Sequence, residues 1–123
     1  MKTALIAEDN PVNRELLREL LEAHGYAVRE ACNGEEAMGM IAEEKPTILF
    51  LDLGMPVLDG YGTIRKIRDD PSCARLPVLA VTAYAMRGDR ERILGCGFDG
   101  YISKPVDPSL LKAEIARMLP EPG

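Results

Sequence analysis

Apolar residues along this chain follow two alternating patterns. Short runs of strand length, Thr3–Ala7, Tyr26–Ala31, Thr47–Leu51, Pro77–Val81 and Tyr101–Ser103, are each followed by a stretch of helical period. The helical stretches are Pro11–His24, Glu35–Glu43, Gly60–Arg68, Gly88–Leu94 and Pro108–Leu119. In the first of them Val12, Leu16, Leu17, Leu20 and Leu21 recur on one face, with Arg14, Glu15, Arg18 and Glu22 on the other. Asn10 reads as its N-cap, Pro11 as its first residue and Gly25 as its stop. The run Thr47–Leu51 is continuous rather than alternating, which predicts a strand buried on both faces. Five strand–helix pairs in strict alternation predict an α/β fold: a five-stranded parallel sheet with helices on both faces.

At 123 residues the chain suits one domain, expected over 1–119, with 120–123 as a frayed tail. Fifteen basic against twenty acidic side chains give a net charge of −5, which argues against nucleic acid or an anionic membrane as partner. Cys32, Cys73 and Cys96 are widely spaced and lack a CxxC pattern, so they are expected to be buried or half-buried free thiols rather than a disulfide or metal framework. The apolar start is too short for a signal peptide, and no later run could span a bilayer, so a cytoplasmic location is expected.

Sheets of this kind carry their sites at the carboxyl ends of the strands. Glu8-Asp9, Asp52, Thr82 and Lys104 stand there and should converge on one rim. Two carboxylates about 4 Å apart repel by roughly 4 kcal/mol at an effective dielectric near 20, so three of them need cations. Lys104 is one. A metal is the other, and an all-oxygen donor set suits magnesium. His24, the sole histidine, falls near the end of the first helix and suits interaction with its dipole rather than zinc binding. Phosphoryl transfer onto a carboxylate fits such a rim: Asp52 as nucleophile, Lys104 balancing charge, the Thr82 hydroxyl donating to a phosphoryl oxygen.

These residues resemble the receiver domains of two-component response regulators and hybrid histidine kinases. The matching pieces are Glu8-Asp9-Asn10, Asp52 with Met55-Pro56 and Asp59-Gly60, Thr82-Ala83, and Tyr101 ahead of Lys104-Pro105. The resemblance implies a flavodoxin-like sheet in order 2-1-3-4-5 and a cis Lys104–Pro105 bond. It also implies that Glu8, Asp9, Asp52 and the Gly54 carbonyl hold Mg2+, that Asp52 is the phosphoacceptor, and that Thr82 and Tyr101 form a switch. The phosphoryl group would come from a histidine kinase or histidine phosphotransfer protein, and a downstream protein would read the altered surface. Pro11, Val12 and Leu16, with Pro105 and Val106, flank the rim and are the expected docking residues. Gly54 and Tyr84 depart from the family's commonest pattern at the two positions that tend to set phosphoryl lifetime. Shielding by Tyr84 would give a long-lived phosphorylated state. A chain that begins directly on its first strand favours a free-standing regulator over an excised receiver.

Two other functions share parts of this pattern. A phosphatase of the aspartyl-nucleophile type wants a second Asp two residues after the nucleophile, where Gly54 stands. A flavodoxin-like cofactor binder wants a hydroxyl-rich phosphate loop after the first strand, and none follows. The string Gly95-Cys96-Gly97-Phe98-Asp99-Gly100 matches GxGxxG, but it lies between a helix and a strand, the reverse of the dinucleotide-binding context.

Overall fold

The computed structural model describes residues 2–83 and 89–119. Five strands, β1 (Thr3–Ala7), β2 (Ala27–Ala31), β3 (Ile48–Asp52), β4 (Val78–Thr82) and β5 (Gly100–Ser103), alternate with five helices. These are α1 (Pro11–Ala23), α2 (Gly34–Glu43), α3 (Gly60–Asp69), α4 (Asp89–Gly95) and α5 (Pro108–Met118). All strand pairs are parallel, in the order β2-β1-β3-β4-β5. Both the alternation and the order match expectation. Boundaries move by one residue at most places; Gly88, expected to open the fourth helix, and Tyr84 and the 120–123 tail lie outside the described residues.

The period of two along each strand divides the core into two layers. Leu5, Leu49, Leu51, Val78 and Ala80 pack with α2, α3 and α4 through Ala37, Ile41, Ile64, Ile67 and Ile93. Ile6, Ile48, Phe50, Leu79 and Val81 pack with α1 and α5 through Leu17, Leu21, Leu111 and Ile115. Every residue of β3 and β4 is buried, as the uninterrupted apolar run of β3 predicted. The two central strands are thus packed on both faces, and the helix layers on either side hold their last residues in place.

The helix starts are set by side chains. Asn10 accepts from the backbone N–H groups of Val12 and Asn13, Asn33 from Glu36, Asp59 from Gly62, and Asp107 from Ser109 and Leu110. Gly25, just past α1, has φ +87°, the left-handed conformation that ends helices on glycine. His24 caps α1, its Nδ1 lying 2.7 Å from the Leu20 carbonyl, in line with the place expected for it. Gly95 ends α4 and Gly100 opens β5, so the GxGxxG string does turn the chain from helix to strand.

The thiols correct one expectation. Cys73 is buried, whereas Cys32 and Cys96 are exposed; all three are unpaired. Cys32 directly follows β2 and Cys96 directly follows α4, places where the chain leaves the packed layers. No helix among the described residues is long and apolar enough to cross a membrane.

Candidate functional site

The parallel ladder carries on one residue beyond the strands, and this fixes the rim. Glu8 N donates to the Ala31 carbonyl at 3.0 Å, Leu53 N to Val81 at 3.2 Å and Lys104 N to Thr82 at 2.8 Å. Glu8, Asp52, Thr82 and Lys104 are thereby held at adjacent strand ends by backbone geometry, before any side chain interacts. Gly60 adds to this. A Cβ there would lie 2.6 Å from the Asp52 carbonyl oxygen and 2.7 Å from the Leu53 Cα, so only glycine lets α3 start so close to Asp52.

The side chains then converge as the sequence implied. Glu8, Asp9 and Asp52 present carboxylate oxygens within 4.8 Å of one another. Glu8, Asp52 and Thr82 are buried and Asp9 is exposed. Lys104 Nζ reaches both Glu8 oxygens, at 3.0 and 2.9 Å, and stands 3.4 Å from Asp52 Oδ2. Asp52 Oδ1 accepts from the Gly54 N–H at 3.2 Å. Burial pushes the Glu8 carboxyl above its ordinary value, Lys104 opposes that rise, and the neighbouring Asp52 adds to it. The Lys104–Pro105 bond is cis, as the resemblance implied.

A cleft of about 620 Å³ opens above Asp52, lined by these residues together with Asn10, Asn13, Tyr61, Asp89 and Arg92. Further side chains support the rim from α1. Arg14, on the polar face of α1, donates through its guanidinium to the Glu8 backbone carbonyl at 2.8 Å and to Glu30 at 3.0 Å, tying the acidic pair to β2. Asn13 Nδ2 lies 3.5 Å from Glu8 Oε1. Their spacing of five and six residues from Glu8, one helical turn into α1, was the available signal. Tyr61, Asp89 and Arg92 carried none, because they reach the cleft only through the packing of α3 and α4.

Tyr101 is half-buried and packs against the layer that holds Ala80, on the same side of the sheet as Thr82. Its backbone N–H donates to Glu114 Oε2 at 3.1 Å. Of the expected docking residues, Leu16, Pro105 and Val106 line one small dent between α1 and the segment after β5. Val12 is 73% exposed and lies outside that dent. Pro11 is exposed at the start of α1.

The comparisons agree with this geometry. The response regulator receiver domain family matches residues 4–116. The chain belongs to that family. It is 41% identical over 105 residues to the polar-differentiation response regulator DivK of Brucella anthropi, covering 85% of each chain. Among solved structures it resembles the receiver domain of a sensor histidine kinase from Pseudomonas aeruginosa, which has magnesium in its active-site cleft. Identity there is 33%, with 98% of each chain covered and a TM-score of 0.88. The signal receiver domain of a histidine kinase from Syntrophus aciditrophicus is likewise 33% identical, over 97% of this chain and 90% of that one, with a TM-score of 0.87. This receiver domain is thus a phosphorylation-dependent switch of two-component signalling, a signalling module rather than an enzyme turning over small substrates. Neither the phosphatase nor the cofactor-binding reading is favoured.

Proposed function

We propose that Asp52 is the phosphoacceptor and that a histidine on a kinase or phosphotransfer partner is the donor. In the transfer, an Asp52 carboxylate oxygen attacks phosphorus, the P–N bond to the imidazole breaks, and the imidazole nitrogen keeps the electron pair. The observation that carries this reading is the buried Asp52 carboxylate facing Lys104 Nζ at 3.4 Å, within a group of three carboxylates. Burial removes competing water and strengthens the lysine's hold on developing charge. Thr82 ends the adjacent strand, and in this reading its hydroxyl donates to a phosphoryl oxygen.

The donor set, three carboxylates clustered without histidine or cysteine, fits a hard divalent cation. Glu8, Asp9, Asp52 and the Gly54 carbonyl would hold Mg2+, which when bound neutralises charge on phosphoryl oxygens. Lys104 engages both Glu8 oxygens, so the exposed Asp9 is the carboxylate best placed to meet an arriving ion.

Output runs through Thr82 and Tyr101 in this reading. Charge on Asp52 draws the Thr82 hydroxyl inward, and the half-buried Tyr101, on the same side of the sheet, turns further into the space beside β4. Phosphorylation shifts the two conformers only by its differential interaction with them. A downstream protein reads the changed surface around α4. Gly54 bears on lifetime because a Cβ there would meet nothing within 4 Å, which leaves open space beside the acceptor. In this reading the domain works in the cytoplasm.

Incubation with magnesium and acetyl phosphate tests the assignment. Wild type should take up one phosphoryl group and Asp52→Asn none. A stoichiometric phosphoryl group on Asp52→Asn would overturn it.

A further inference from the structure

The cleft above Asp52 carries charged groups beyond the metal-holding rim. Among the described residues, Glu8, Asp9, Asp52 and Asp89 line it against two cations, Lys104 and Arg92. With Mg2+ on the three rim carboxylates these charges come close to balance, and an incoming phosphoryl donor carries close to two negative charges, so an exposed cation at the cleft wall is what steers its approach. Lys104 is committed deep in the site: its side chain is 15% exposed and bound to Glu8. Arg92 differs. Its side chain is 66% exposed at the cleft wall.

The contacts of Arg92 hold it there loosely. One guanidinium nitrogen pairs with Asp89 at 3.1 Å and lies 3.5 Å from the Tyr61 hydroxyl, and the group sits 5.9 Å from the centre of the Tyr61 ring. Both partners line the same cleft. Tyr61 is in turn fixed edge-to-face against the buried Phe98, with ring centres 6.4 Å apart. The guanidinium therefore rests on a rigid aromatic platform, facing one exchangeable carboxylate. A phosphate competes well with that single carboxylate, because it offers more charge and a bidentate match to the guanidinium fork.

We propose that Arg92 recruits the incoming phosphoryl group, releasing Asp89 to bind phosphate oxygens at the cleft mouth before transfer to Asp52. This rests on the reading of Asp52 as acceptor. It places the contribution of Arg92 in capture of the donor rather than in the transfer step, and it makes capture sensitive to salt.

The test is the rate of labelling by acetyl phosphate with magnesium, across donor concentration and ionic strength, in wild type, Arg92→Gln, Arg92→Lys and Arg65→Gln. Arg65 is exposed on α3 and does not line the cleft, so it controls for net charge. At low salt Arg92→Gln should lose about fivefold in labelling rate at sub-saturating donor, with the saturating rate intact and the deficit fading as salt rises. Arg92→Lys should recover most of the loss, and Arg65→Gln should match wild type. The proposal fails if Arg92→Gln labels like wild type at low salt, if it loses the saturating rate without a change in salt dependence, or if Arg65→Gln slows equally. Failure of wild type itself to label would instead remove the assignment of Asp52.

Discussion

Lys104 is held more closely by Glu8 than by Asp52: its Nζ lies 2.9 and 3.0 Å from the two Glu8 oxygens and 3.4 Å from Asp52 Oδ2. The lysine thus compensates a carboxylate that burial already makes costly to ionise. Glu8 titrates above its unfolded value, so its contribution to stability is full below that value and is lost as pH rises through the folded one. Removing Lys104 takes away the group that opposes the rise. Lys104→Ala should cost about 2–4 kcal/mol near pH 7.5 and clearly less near pH 5, where Glu8 can take up a proton. Urea unfolding at the two pH values checks this, and an equal loss at both would contradict it.

Metal binding should be visible as stability. At a hundredfold excess over its dissociation constant, magnesium should add about 2.7 kcal/mol to the unfolding free energy. Asp9→Asn should abolish most of that increment and change metal-free stability by less than about 0.5 kcal/mol, because Asp9 is exposed. Thermal unfolding with and without magnesium separates the two effects.

Val57 is the one described non-glycine residue with positive φ, at +68°, in a tight turn where Leu58 N donates to the Pro56 carbonyl at 2.7 Å. A β-branched residue is strained there, and at 76% exposure it recovers little by burial. Val57→Gly relieves about 1–2 kcal/mol of strain and loses about 0.5–1 kcal/mol to the added freedom of the unfolded chain. A net gain of about 0.5–1 kcal/mol in the denaturation midpoint analysis is expected, and a loss would show the turn to be unstrained.

Docking at α1 predicts a separation of donors. Val12 is 73% exposed, so Val12→Asp should leave folding and acetyl phosphate labelling intact while slowing transfer from a phosphohistidine partner by about tenfold. Parallel time courses with the two donors decide the matter. Equal loss with both would place the defect inside the domain.

Much of this protein was legible in its sequence, for a physical reason. The continuous Ile48–Leu51 run, the helical spacing of Leu17 and Leu21 and the cap at Asn10 are local signals, and the structure realises each of them. A parallel ladder then brings strand ends to one rim, so residues in the positions of Glu8, Asp52, Thr82 and Lys104 must meet wherever the alternation holds. What local pattern could not decide is everything set by how one layer settles on another. The preference of Lys104 for Glu8, the reach of Arg14 to the Glu8 carbonyl and the meeting of Tyr61, Asp89 and Arg92 at the cleft depend on distances between helices and sheet. So does the positive φ of Val57, where nothing in the residue itself favours that conformation. Spacing along the chain determines which strand end or helix face a residue occupies; only tertiary packing decides which partner it finds there, because side-chain contacts between elements vary over ångströms that periodicity does not encode.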